Sequence, residues 1–145
     1  MNTGTTDPRL DGYFIWDPKD PFENRAGPFW APGDRPEGPP TFAFVAEDRH
    51  CNSYGIVHGG MMMTMVDLAM VVTARHQTDD RGGLTVSMSS DFIASGQVGD
   101  LIRARAELVK RTNSLCFMRG FVERDGDDLL LNCTAVIKRM RAKTG

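Results

Sequence analysis

From Thr41 onward the apolar and polar positions follow regular periods, and the elements can be read from them. Thr41–Val45 reads as a short strand. Gly59 to about His76 is apolar or small on nearly every side, which predicts one long helix buried all round. Leu84, Val86, Met88 and Phe92 then alternate with Thr85, Ser87, Ser89 and Asp91 at a period of two. Ile102, Ala104, Ala106 and Leu108 mark a second strand, opposite Arg103, Arg105 and Glu107. A third spans Leu115 to Arg124, and a last one alternates Leu129, Leu131, Cys133, Ala135 and Ile137 with more polar neighbours. Polar and glycine-rich breaks separate them at Asp79–Gly83, Gly96–Asp100 and Thr112–Ser114. Asp125-Gly126 is a hairpin signal. One apolar helix followed by an antiparallel meander predicts an α+β fold, with five to six strands wrapped around the helix. No internal repeat and no second globular domain is visible.

The first 40 residues differ. All eight prolines of the chain lie there, with both tryptophans, Trp16 and Trp30, and with Tyr13, Phe14, Phe22 and Phe29. Proline fixes its own φ and lacks an amide hydrogen, which argues against regular helix or a central strand. Free tails are poor in aromatic rings. Residues 1–40 are therefore expected to form an irregular arm lying on a domain of residues 41–145, covering the sheet or shaping a pocket.

Composition narrows the function. The chain has 145 residues, 41% hydrophobic and 25% charged, with a net charge of -2. These values suit a single globular domain and give no basic surface for nucleic acid or anionic lipid. Cys51, Cys116 and Cys133 form an odd set without framework spacing, which favours reduced thiols and a cytoplasmic protein. Met1 to Leu10 lack a leader pattern, and no apolar run is long enough for a membrane span.

Within the helix, Asp67 is the only charged residue between Gly60 and Thr73. The positions three and four away are Met63, Thr64, Met70 and Val71, so no basic residue neutralises it locally. A carboxylate in such surroundings is costly unless it is paired or used. It suits a general base or a nucleophile, or else pairs with a basic group from elsewhere, for example across a dimer. Just upstream, Asn52-Ser-Tyr-Gly55-Ile-Val-His58-Gly59-Gly60 opens the helix. The first amides of a helix have no intrahelical partner and face the positive end of the dipole, a setting that holds a developing oxyanion. Two glycines also make an ordinary turn. His58 either caps and orients that turn or donates to a carbonyl, and Asn52 either shapes its loop or donates to substrate. His58 has no nearby Cys, His or acid at metal spacing. Cys51 beside His50 lacks an orienting third group for a nucleophilic thiol. The methionines Met61, Met62, Met63, Met65 and Met70 read mostly as core filler, or some of them as the lining of an acyl pocket, since thioether chains adapt to flexible apolar ligands.

Gly59 and Asp67 lie eight positions apart, a rise of roughly 12 Å along one helix. They cannot meet at one carbonyl within a single chain. If both act, they come from two chains and the site lies at an interface.

Taken together, Asn52, Gly55, His58-Gly59-Gly60 and Asp67 resemble the pattern of hotdog-fold acyl-CoA thioesterases of the phenylacetate-pathway type, over about 100 residues. The resemblance implies a hotdog fold and hydrolysis of an acyl-CoA thioester without metal or other cofactor. It implies Asp67, Gly59, Asn52, His58 and Thr85 as catalytic residues: the Gly59 amide on the thioester oxygen, Asn52 beside it, Asp67 from the partner chain activating the water or attacking directly, and Thr85 holding that water. It implies substrate binding by Gly60, Phe92, Ile93, Lys110, Arg111, Asn113 and Ser114, with Lys138, Arg139 and Arg141 as further candidates for the CoA phosphates. It also implies a homo-oligomer, a dimer of dimers, with no nucleic-acid or membrane partner. The alternative on the same fold is an acyl-CoA binding or sensing protein that does not turn over. The proline-rich arm exceeds what that family's core needs, and it leaves the acyl group open.

Overall fold

A computed structural model describes residues 7–33, 39–126 and 128–143. Parts of the arm, residues 1–6 and 34–38 with Pro36, lie outside the described residues. The strands are β1 (Tyr13–Ile15), β2 (Trp30–Pro32), β3 (Phe42–Val45), β4 (Gly82–Phe92), β5 (Leu101–Arg111), β6 (Leu115–Arg124) and β7 (Asp128–Met140). The helices are α1 (Pro21–Ala26) and α2 (Gly59–His76). The strands form one antiparallel sheet in the order β1-β2-β3-β5-β6-β7-β4.

This is the hotdog arrangement, with one long helix on the concave face of a wrapped sheet. Met65, Val66, Ala69 and Met70 on α2 are fully buried against the inward-facing residues Met118, Val122, Leu131 and Ile137. Helix and sheet pack closely at Gly120, where a Cβ would stand 2.5 Å from Val66 Cγ2. The hairpin between β6 and β7 turns through Asp125 (φ 34) and Gly126 (φ 101), as the Asp-Gly pair predicts.

Three expectations change: the strand count, the cover of the helix and the alternation along β4. The sheet has seven strands rather than five or six, because the arm is not wholly irregular. Its β1 and β2 pair with each other and then with β3 at the edge of the sheet, where proline is tolerated. Pro21 occupies the first turn of α1, the one helical place where its missing N–H is harmless, with Asp20 as N-cap. Phe29 and Trp30 are buried, while Phe22 stays 64% exposed.

The helix is also not covered on all sides. Gly60, Met63, Thr64, Asp67 and Val71 keep solvent exposure, and their spacing of three and four places them in one stripe. Beside that stripe runs β4, an eleven-residue strand at the free edge of the sheet, where Leu84 and Val86 are 58% and 61% exposed.

A bulge in β4 corrects the simple alternation read along that strand. Ser87 pairs with Val136 and Thr85 with Ile137, leaving Val86 as an extra residue. The insertion turns Thr85 to the helix side and sends Leu84 outward, the reverse of what an unbroken period of two implies.

Candidate active site

The start of α2 is organised by His58. As N-cap it accepts the Gly60 N–H at Nδ1 (2.8 Å), and its carbonyl accepts from Met61 and Met62 (2.9 and 3.3 Å). With Nδ1 accepting, the proton of the neutral ring sits on Nε2. Three of the first four helical amides are thereby committed. The Gly59 N–H has no hydrogen-bond partner among the described residues and lies at the positive end of the helix dipole. The ring of Phe92 lies over Gly59, where a Cβ would stand 2.8 Å from Cε1. Only glycine leaves both ring and amide in place.

Asn52 shapes the loop that precedes this turn. Its Oδ1 accepts from the amides of Tyr54 (2.9 Å) and Ile56 (3.4 Å), and the left-handed Gly55 (φ 77) closes the loop. Bonding through the oxygen leaves Nδ2 as an uncommitted donor among the described residues. Asn52, Gly59, Met62, Phe92 and Ser95 together line a cleft of about 230 Å³. Tyr54, at the loop tip, is 87% exposed.

Asp67 occupies the open stripe farther along α2 and is half-buried. Thr85 donates its hydroxyl to Asp67 Oδ1 at 2.5 Å. Among the described residues no Lys, Arg or His forms an ion pair with Asp67. No salt bridge among the described residues accounts for it. The single chain displays two separate halves, an open amide at Gly59 and a carboxylate–hydroxyl pair at Asp67 and Thr85.

A second cleft, of about 420 Å³, opens on the other side of the same helix start, between α1 and α2. Phe22, Arg25, His58, Gly60, Met61 and Thr64 are among its walls. The arm is held there by a buried clamp. His50 is 4% exposed, accepts the Glu47 N–H at Nδ1 (2.9 Å) and bonds the Ala26 carbonyl through Nε2 (2.8 Å). Its ring meets Phe44 edge-on at 5.0 Å. Arg49 donates to the carbonyls of Arg25 and Gly27. Burial, then the neighbouring Arg49 charge, lowers the His50 pKa. Both ring nitrogens are occupied, so His50 does not activate Cys51, whose thiol is pushed up by burial. On α1, burial and then the charges of Asp20, Asp17 and Asp67 raise the Glu23 carboxyl to about 7.

The remaining sequence candidates divide by position. Ile93 follows Phe92, is 54% exposed and donates its N–H to the Leu130 carbonyl. Lys110, Arg111, Asn113 and Ser114 are exposed at the opposite end of the sheet from Gly59. In register, Arg111 aligns through Cys116 and Ile137 with Thr85, so this turn belongs to the Asp67 end. Arg139 is committed elsewhere, binding Asp80 through Nε and Nη2 (2.7 and 3.0 Å) and the Thr112 carbonyl through Nη1. Arg141 bonds Asn113. These two arginines brace the turn rather than stand free for a phosphate. No cluster of three or more His, Cys, Asp or Glu at metal-binding geometry occurs among the described residues. No described helix is long and apolar enough to cross a membrane.

Sequence reading left open an arm that shapes a pocket, but it did not locate the cleft or find the His50 clamp. The available signal was Asp20-Pro21, an N-cap followed by proline at the first helical position, which marks a helix inside a proline-rich stretch.

Comparison with known proteins agrees with this architecture. Mouse acyl-coenzyme A thioesterase 13 is 30% identical over 73 residues, 49% of this chain and 51% of that protein. The chain thus spans about half the length of that curated relative, and 43% of an esterase of Caenorhabditis elegans that is likewise 30% identical. A phenylacetic acid degradation-related protein of Ralstonia eutropha JMP134 superposes with a TM-score of 0.71 at 25% identity, covering 84% of this chain and 92% of that one. A Streptococcus pneumoniae thioesterase-type protein solved with coenzyme A superposes at 0.67 with 18% identity, covering 73% and 86%. The Thioesterase superfamily profile matches residues 54–131, from Tyr54 before the helix start to the first residues of β7, and the chain belongs to that family.

Proposed function

We propose that this protein hydrolyses acyl-CoA thioesters to the free acid and CoA. The observation that carries the reading is the pair of complementary halves on one chain: a helix-start amide at Gly59 and a carboxylate at Asp67 held by Thr85, the first without a hydrogen-bond partner and the second without an ion-pair partner among the described residues. CoA-bound relatives of the same fold and the mouse acyl-CoA thioesterase support the substrate class.

In this mechanism the thioester carbonyl accepts from the Gly59 N–H, with Asn52 Nδ2 as a second donor. Asp67 takes a proton from water while Thr85, its hydroxyl donating a hydrogen bond to Oδ1, accepts a hydrogen bond from the same water and aims it. Water oxygen adds to the carbonyl carbon, and the oxyanion forms against the Gly59 amide. Collapse breaks the C–S bond. The thiolate takes the proton from Asp67, leaving carboxylic acid and free CoA.

Because Gly59 and Asp67 sit eight positions apart on a continuous helix, one chain supplies the amide and a second chain the base. The open stripe of α2 and the free β4 edge, with Leu84 and Val86 exposed, support a two-fold partner that lays its helix and edge strand alongside. That arrangement also brings the second chain's Lys110–Ser114 turn toward the first chain's helix start. Such oligomers, as dimers or dimers of dimers, complete the substrate site.

The test is free-thiol release from a panel of aryl- and alkyl-CoA thioesters, with wild type and Asp67→Asn compared. Turnover that collapses in the folded variant supports hydrolysis. Tight acyl-CoA binding without turnover in the wild type replaces it with a sensing role.

A further inference from the structure

A thioester carbonyl bonded at Gly59 has two arms, the acyl group and the thiol, and two clefts flank the start of α2 to receive them. The Asn52–Phe92 cleft is the smaller, about 230 Å³. The arm cleft, about 420 Å³, runs beside Gly60 and Thr64, the side of α2 that carries Asp67. Its walls are mixed: a ring (Phe22) and a thioether (Met61) offer surfaces suited to an apolar group, while Arg25, Arg49 and His58 form a polar part of the lining. Its volume lies at the low end of ligand pockets, roughly 300–1,000 Å³.

We propose, resting on the hydrolase reading above, that the arm helix α1 forms the outer wall of the acyl pocket and that Phe22 is a specificity-determining residue, limiting the substrate to compact acyl groups.

Three observations carry it. Phe22 and Ala26, four positions apart on α1, share the face that lines the cleft. The wall is fixed in place, since His50 and Arg49 bind the carbonyls of Ala26, Arg25 and Gly27 at the end of α1. Phe22 itself is left 64% exposed, a large ring standing at the cleft rim without being part of the core. The influence of Asp67 on the Glu23 carboxyl agrees that α1 overlies the same stretch of α2. An acyl group seated between Phe22 and Met61 meets the ring when it grows, whereas the CoA arm leaves on the other side.

The experiment measures kcat/KM along a series of linear acyl-CoA thioesters for wild type, Phe22→Ala and Phe22→Trp, with the inhibition constant of free CoA as a second readout. Phe22 is exposed, so both variants retain the fold, checked by circular dichroism. The long-to-short ratio of kcat/KM is expected to rise about tenfold or more in Phe22→Ala and to fall in Phe22→Trp, with CoA inhibition unchanged. An unchanged acyl ranking overturns the proposal, whether or not CoA inhibition weakens; weakened inhibition would place the CoA arm in this cleft. Dissociation constants of non-hydrolysable acyl-CoA thioethers give the same contrast without turnover. A wild type inactive on every thioester thus defeats the hydrolase reading while the acyl-pocket assignment is still decided by binding.

Discussion

Thr85 donates its hydroxyl to Asp67 across 2.5 Å, joining the edge strand β4 to the middle of α2. The contact exists because of the bulge at Val86. Without that extra residue the alternation of β4 would point Thr85 away from the helix. The pair fixes which carboxylate oxygen stays open and leaves the threonine oxygen free to accept from a water. Asp67→Asn is expected to keep the fold and lower kcat by about 10²–10⁴-fold, the usual contribution of a general base. Thr85→Val is expected to lower it less, by about tenfold, since it removes one hydrogen bond to a charged group. Steady-state kinetics on one good thioester checks both. Single-turnover hydrolysis in heavy-oxygen water then reports the role of Asp67: label in the product acid alone fits a base, and label in the Asp67 carboxylate fits a nucleophile.

Glycine at position 120 is a packing requirement of the sheet against α2. A Cβ there meets Val66 Cγ2 at 2.5 Å and the Met70 sulfur at 3.0 Å, both in the core. Gly120→Ala is expected to destabilise the protein by about 1–3 kcal/mol, the ordinary range for overpacking, read as a lower denaturation midpoint in urea. Gly12→Ala provides the contrast. No atom lies within 4 Å of its Cβ, and the penalty there is the left-handed backbone (φ 82) alone.

The His50 clamp makes the arm sensitive to acid. Its pKa in the folded protein is lowered, so below the ordinary value of 6.5 the unfolded chain binds a proton that the folded chain resists. Stability from this residue is present above about pH 6.5 and is lost as pH falls below it. Protonation at Nδ1 also removes the acceptor for the Glu47 amide. Thermal melts from about pH 8 to pH 5 should show a decline that is flatter in His50→Gln, which cannot titrate.

Glu23 has the opposite dependence. Its carboxyl is raised from 4.5 to about 7, so the folded chain holds its proton longer than the unfolded chain. The favourable contribution is complete below 4.5 and is lost as pH rises through about 7. Glu23→Gln should leave the melting temperature at about pH 4 nearly unchanged and raise it at about pH 8. Equal shifts at both pH values would contradict this account.

Much of the core was legible in the sequence. The bounds of α2, the third strand and the Asp-Gly hairpin follow from period and turn chemistry, which depend on local backbone geometry. What failed were features set by long-range contacts. The alternation along β4 put Thr85 on the polar side, and only the family resemblance named it, because a period of two cannot show a bulge. Asp67 looked fully buried because an all-apolar helix implies cover on every side, whereas one chain leaves the stripe from Gly60 to Val71 open. Arg139 looked free because its partner, Asp80, lies 59 positions away in the chain. The proline count hid α1, since it weighed prolines without asking which stood at a helix start. Asn52, Gly59 and Phe92 were each named from sequence, and the structure brings all three to one cleft.

The most direct test of the composite site is complementation. Asp67→Asn lacks the carboxylate, and Gly59→Val blocks the open amide. Each homo-oligomer should be inactive. If one chain supplies the amide and its partner the base, mixed oligomers of the two variants contain one site with both defects and one with neither. After the variants are mixed, unfolded and refolded together, thiol release from acyl-CoA should return to about a quarter of the wild-type rate, since random pairing makes half the dimers mixed, each with one intact site. No recovery in oligomers shown to be mixed would place Gly59 and Asp67 in separate functions and contradict the two-chain site.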